Sequence, residues 1–239
     1  MGHRVPNAVP VPLRDELSRP PRTESSQSSL NSISGNLLAL VQGEITASRE
    51  DLAKLHLPSF LPTESEMMSF LDYYYSHLDY QYHLIVLHRT KRDIHALYEC
   101  IARNEPFNPG HMAIIFSVIS VALFFQLLTT ESAVFAEVCS RKTVLLVGAA
   151  LIQCNHAAYP TVEGLQASMI IGHQFSLLNL CPSVSFLFLH GALISQAKSL
   201  GLHAIDCVHS SDHRRMAGSD RADGEIKRRL WWDLASYDW

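Results

Sequence analysis

Basic charge is scarce in this sequence. Lysine and arginine number 19 against 23 acidic residues, the formal net charge is −4, and only 18% of the 239 residues are charged. A surface that grips nucleic acid must neutralise phosphates with clustered cations, so this balance argues against direct DNA contact by these residues. Cysteine is sparse too. The five cysteines, Cys100, Cys139, Cys154, Cys181 and Cys207, are odd in number and widely spaced, with none before Cys100. That distribution matches no closed zinc motif, and thiols set among apolar neighbours fit a reducing, intracellular compartment. Residues 1–30 carry Arg4, Arg14, Arg19 and Arg22 among prolines and serines, without the apolar central run of a secretory signal. Gly-x-Ser-x-Gly, phosphate-cradling glycine loops and His-Glu-x-x-His are all missing, so no motif argues for catalysis.

What the sequence has is apolar mass. A hydrophobic content of 47% implies a substantial buried core and excludes disorder throughout. The exception is the beginning. Up to about Gly35 the composition is Pro, Ser and Arg, ending in Thr23-Glu24-Ser25-Ser26-Gln27-Ser28-Ser29, which cannot bury enough surface to offset its ordering entropy. Weak helical pieces follow at Leu37–Val41 and Arg49–Leu57, the second with Ser48 as its cap. Residues 1–57 are thus expected to be a largely disordered arm, and residues 58–239 a folded domain.

Order begins with a capping box, Thr63 and Glu66, behind which Met67, Leu71, Tyr74 and Leu78 share one helical face. Tyr80 to Arg89 reads as an irregular or extended link before a short helix from Lys91 to Ile101. After Asn108-Pro109-Gly110, the run Met112–Leu128 is apolar all round, as only a buried helix or a membrane span would be. The next helix carries Arg141 and Lys142 in its middle. Thr161 caps another that begins with Val162, Leu165 and Met169, and Cys181-Pro182-Ser183 breaks it. Phe186, Leu189, Leu193, Ala197 and Leu200 then line one face, with Gly201 placed as a left-handed cap and Leu202 folding back toward Ala197. A polar loop from His203 to Gly224 precedes a last helix in which Ile226, Leu230, Leu234 and Tyr237 align and Glu225 can pair with Arg229. No strand-like alternation competes, so the expected fold class is all-α, a multi-helix bundle.

Three segments carry a family likeness. Leu61-Pro62-Thr63-Glu64, Leu71-Asp72-Tyr73-Tyr74-Tyr75 and Leu87-His88-Arg89-Thr90 form the first; Ala192 through Leu200-Gly201-Leu202-His203 the second; Glu225-Ile226-Lys227-Arg228-Arg229-Leu230-Trp231-Trp232 with Tyr237-Asp238 the third. In this order they resemble the fungal-specific transcription factor domain, the xylanolytic activator-type regulatory domain of zinc-cluster factors. The likeness departs at His83, where proline is common, at Thr90 and Lys91, which replace the usual proline and its neighbour, and at Trp239, where an arginine generally stands. It singles out Leu71, Tyr74, His88, Arg89, Leu200, Gly201, Leu202, His203, Glu225, Arg228, Arg229, Trp231, Trp232 and Asp238 as motif residues. It also implies a nuclear protein that restrains transcriptional activity and answers to partner proteins or a small-molecule effector. DNA contact and zinc belong to the family's separate six-cysteine cluster; in this chain no cofactor and no membrane are expected. Because domains of this family continue for more helices, residues 58–239 read as their N-terminal portion.

Other readings compete on particular residues. His203, Asp206, Cys207, His209 and His213 include good zinc ligands, yet their spacing fits an exposed loop better than a closed site. His88-Arg89 lacks the carboxylate or nucleophile that acid–base chemistry needs and reads as a structural turn. Arg228 and Arg229, with Lys227, read as a solvated face paired to Glu225. Trp231 and Trp232 lie 100° apart on a helix, so one is expected in the core and the other on a groove or neighbouring helix. Tyr73, Tyr74, Tyr75, Tyr80 and Tyr82 group rings as pockets, interfaces and ordinary cores all do. Residues 106–130 and 164–197 contain no Asp, Glu, Lys or Arg, which keeps an integral membrane protein as the alternative class. Ser117, Ser120, Gln126, His173, Gln174, Asn179, His190 and Gln196 within those runs favour a buried protein core instead. A helical enzyme with an apolar pocket, or a fragment without function, are the remaining alternatives.

Overall fold

The structure, a computed structural model, describes residues 48–81, 83–130, 133–177, 183–205 and 218–236. Among them are eight α-helices and no strand: α1 Arg49–Lys54, α2 Glu64–His77, α3 Leu87–Ala102, α4 Pro109–Thr130, α5 Ala133–Gln153, α6 Val162–Leu177, α7 Ser183–Ser199 and α8 Gly218–Ser236. Short 3-10 turns lie at Leu57–Phe60, Asp79–Gln81 and Leu202–Ala204. The all-α reading holds.

The organising element is α4. Its inward positions from Met112 to Leu127 are buried on every side, and it packs most extensively on α5, then on α6 and α2. Pro109–Thr129 is long and apolar enough to cross a membrane; 72% of its most apolar stretch is buried against the rest of the chain. The two buried serines of this run are satisfied internally. Ser117 donates to the Ile114 carbonyl at 2.7 Å. Gln174 of α6 donates to Ser140 Oγ of α5 at 2.7 Å, while Ser120 Oγ of α4 donates to Gln174 Oε1 at 3.3 Å. The second charge-free run is divided between α6 and α7.

The helix starts follow local chemistry. Thr63 and Glu66 close the capping box in both directions, and Ser48 and Thr161 accept from Asp51 N–H and Gly164 N–H, each at 3.1 Å. Helix ends use the left-handed region at Asn104 (φ 55°), Asn155 (φ 50°) and Gly201 (φ 73°). At Asn155 both Schellman bonds form: Asn155 N–H to the Ile152 carbonyl, and His156 N–H to the Leu151 carbonyl. Gly201 N–H reaches the Lys198 carbonyl, and Leu202 and Ala197 are both buried.

Three boundaries differ from the sequence reading. Helix α1 ends at Lys54, short of Leu57; it packs on α5, and Gln153 Nε2 donates to the Leu55 carbonyl at 2.8 Å. Helix α3 begins at Leu87, so His88 and Arg89 stand in a first helical turn and not in a link or turn. The N–H groups of Arg89 and Thr90 both reach the Val86 carbonyl at 3.0 Å. Helix α8 begins at Gly218 and includes the stretch up to Gly224 read as loop, and within it Asp223 forms an ion pair with Arg89 of α3. The expectations for Leu37–Val41, Tyr82, Asn179, Cys181-Pro182, Tyr237 and Asp238, and for the side chains of Phe186, Leu189 and His190, lie outside the described residues.

Candidate functional site

The link between α2 and α3 has no ladder partner, so its backbone must be satisfied by side chains. Asp79, buried to 1% exposure, accepts from Ile85 N–H at 3.2 Å. Gln166 of α6 donates to the Leu84 carbonyl at 2.7 Å, and Arg229 of α8 donates to the His83 carbonyl at 3.3 Å. Burial pushes the Asp79 carboxyl up; the Ile85 amide and the neighbouring His83 and Arg229 pull it back down. His83 itself sits at φ 52°, which a proline ring cannot adopt. A proline at this position is therefore incompatible with the backbone as it stands.

This link is where the first and third signature segments meet. Leu71 and Tyr74 point into the core from α2. His88 is exposed, whereas Arg89 pairs with Asp93 at 3.4 Å along its own helix and with Asp223 across to α8. On α8, Glu225 accepts from Arg229 and from Arg228 at 2.8 and 2.7 Å, and these guanidiniums hold its carboxyl below the ordinary range. Ile226, Leu230 and Leu234 form the buried stripe. The second segment arrives at the same helix from α7, since His203, just after Gly201, lies against Trp231 with ring centroids 5.9 Å apart and planes tilted by 59°. Neither tryptophan is fully in the core: Trp231 is half-buried and Trp232 is 62% exposed. Leu200 is half-buried and Leu202 fully buried.

Beside this junction lies a cavity of about 360 Å3 whose walls include Tyr73, His77, Tyr80, Phe125 and His173, a volume suited to a small organic ligand. Tyr73 and His77 stack at 4.5 Å with planes 20° apart, and burial pushes the Tyr73 hydroxyl up. Tyr74 closes the inner wall; Tyr75 and Tyr80 are 41% and 68% exposed. His173 Nε2 and Asp233 Oδ2, 2.6 Å apart, join the cavity wall on α6 to α8. The arrangement offers aromatic surface and one buried histidine–carboxylate pair, the equipment of a binding pocket. Among the described residues no three His, Cys, Asp or Glu side chains stand close enough to hold a metal ion; Asp206, Cys207, His209 and His213 lie outside them.

Over 184 residues the chain is 26% identical to the agnestins biosynthesis cluster transcription factor of Paecilomyces divaricatus, a match covering 76% of this chain and 27% of that protein. Over 188 residues it is 28% identical to the probable transcription factor lepB of Aspergillus flavus, covering 75% and 33%. This chain is similar to fungal transcription factors. A third relative, the transcription factor TAS2 of Pyricularia oryzae, is 27% identical over 142 residues, covering 55% and 17%. The chain thus spans a third or less of the length of these relatives. No protein-family profile matches it, and no solved structure does.

Several residues that build this junction carried no sign of their partners in the sequence. Asp79, Gln166, His173, Asp223 and Asp233 act across 6 to 134 positions of chain, and periodicity reports only neighbours within a helix. A buried polar residue interrupting an apolar stripe, as His173 and Gln174 do on α6, was the one visible hint.

Proposed function

We propose that this chain is a regulatory and interaction region of a fungal transcription factor, acting in the nucleus and controlling RNA polymerase II transcription. In this reading residues 58–239 are the N-terminal portion of the fungal-specific regulatory domain. They perform no catalysis and use no cofactor, and DNA contact is made by a zinc cluster that these residues do not supply. The observation that supports it is the alignment of three quarters of the chain with proteins named as transcription factors. In this reading α8, held by the polar contacts of Arg229 and Asp233 as well as by its buried Ile226, Leu230 and Leu234, exchanges between docked and released arrangements. An effector or partner that prefers one arrangement shifts the balance between restrained and active factor.

The test places the 239-residue chain between a heterologous DNA-binding domain and an activation domain in a fungal reporter strain. Restraint predicts a reporter several-fold below that obtained with an unstructured spacer of equal length, and recovery when Asp233→Ala cuts the latch to His173. Equal reporter output from the spacer and from a chain shown by protease protection to be folded would refute restraint.

A further inference from the structure

Folded interiors hold few voids larger than a water molecule, whose share of volume is roughly 30 Å3. The tyrosine cavity beside the α8 junction measures about 360 Å3, which sets it apart from a packing defect. His77 and Tyr80, both exposed, place its mouth at the surface, while the buried Tyr74, Val121 and Ile170 form its inner wall. Water fills such a space poorly, because the lining is mostly carbon and offers few hydrogen-bond partners.

The shape of the walls is one filter on what fits. Four aromatic rings contribute, those of Tyr73, Tyr74, Tyr80 and Phe125, and Tyr73 is extended by the His77 ring stacked on it at 4.5 Å with planes 20° apart. Flat rings gain from offset-stacked and edge-to-face contact that a saturated body of equal size does not make. Charge is the other filter. Among the described residues that line the cavity there is no Asp, Glu, Lys or Arg. Its inner polar groups are committed to the protein: His173 Nε2 lies 2.6 Å from Asp233 Oδ2, and the Gln174 amide donates to Ser140 Oγ at 2.7 Å. A carboxylate or phosphate entering here would give up its hydration with no permanent cation to replace it. Aromatic faces do attract cations, but with Asp233 already engaged by His173 the cavity has no carboxylate of its own to complete a cationic cage.

We propose that this cavity binds a flat, uncharged aromatic molecule, seated in contact with the rings of Tyr73, Tyr80 and Phe125. That such a molecule is the effector which biases α8 rests on the function proposed above; that it binds rests on the cavity alone.

The experiment is calorimetric titration of the full 239-residue chain with three probes. β-Naphthol is flat and uncharged; decahydro-β-naphthol keeps its hydroxyl and fused skeleton but is saturated; N-methylquinolinium keeps the flat rings and adds a positive charge. The expected result is β-naphthol binding at least about tenfold tighter than either companion. Tyr80→Ala, which removes an exposed wall and leaves the core intact, should weaken β-naphthol by about tenfold. Absence of β-naphthol binding overturns the proposal. So does equal or tighter binding of either companion probe, or an unchanged β-naphthol affinity in a folded Tyr80→Ala chain. If Tyr80→Ala does not fold, nuclear Overhauser contacts between β-naphthol and the Phe125 ring in the unmodified chain decide the location, and their absence overturns the proposal. A chain that binds no β-naphthol yet restrains the reporter leaves the proposed function standing, and one that binds it without restraint refutes only that function.

Discussion

Gln174 sits where three helices converge, and replacing it with leucine tests whether the polar thread through the core stabilises the fold. Gln174 is 1% exposed, and Ser120 and Ser140 are fully buried. The substitution keeps similar volume but removes the 2.7 Å bond to Ser140 Oγ, the 3.5 Å bond to the Ser120 carbonyl and the 3.3 Å bond received from Ser120 Oγ. Ser120 retains a 3.4 Å contact to the Ser140 carbonyl, so the principal orphan is Ser140 Oγ. A buried polar group left unmade costs about 1–3 kcal/mol, offset by roughly 1 kcal/mol from the added apolar burial of leucine. The net expectation is a loss of about 0–2 kcal/mol, which lowers the melting temperature by up to about 8 °C for a domain of this size. Calorimetry or urea melting of the 239-residue chain measures it. The triple variant Gln174→Leu, Ser120→Ala, Ser140→Ala should recover most of the loss, because no partner is then stranded. A triple variant whose destabilisation is the sum of its parts would refute the claim that these groups act as one network.

Other outcomes follow from the same structure. His83→Gly should raise stability by about 1 kcal/mol by relieving the left-handed strain, while His83→Pro should lower it by about 3 kcal/mol or more, both read by chemical denaturation. His83→Pro also removes the N–H that reaches the Asp79 carbonyl at 2.7 Å. Stability should depend on His156 in acid. Burial depresses its pKa below the ordinary 6.5, so protonation favours the unfolded chain. The contribution of the neutral ring is intact above about pH 6.5 and is lost as pH falls through the folded-state pKa. The stability gap between the native chain and His156→Gln should accordingly narrow in urea melts from pH 7.5 to 5. Arg89→Ala should release Asp223 and fray the start of α8, visible as faster amide exchange over residues 218–224 with the α4 amides unchanged.

How much of this was legible depends on how local each determinant is. Helices α2, α4 and α6 announce themselves through the Thr63–Glu66 box, the uninterrupted apolar run after Asn108 and the Thr161 cap, all readable within one or two turns. Gly201 was visible as a left-handed cap; Asn104 and Asn155, which do the same work, were not singled out although asparagine tolerates that conformation. The starts of α3 and α8 were misplaced, and the contact that joins them, Arg89 to Asp223, spans 134 positions of chain. Of the candidate site, Leu71 and Tyr74 followed from the stripe on α2. The His173–Asp233 pair and the Arg229 bond to the His83 carbonyl join residues 60 and 146 positions apart, a separation at which no sequence period carries information. The grouping of tyrosines was visible, but its division into a buried Tyr74 and an exposed Tyr80 depended on where α2 ends.

In the proposed reading, the latch on α8 would couple two equilibria. His173 is at once a wall of the tyrosine cavity and the partner of Asp233, so a molecule in the cavity that draws the imidazole away from that carboxylate weakens the hold on α8. Free energy around such a cycle must close, and the factor by which the molecule loosens the helix equals the factor by which helix release tightens the molecule. Such coupling would need no path through the protein, because His173 itself belongs to both the cavity wall and the latch.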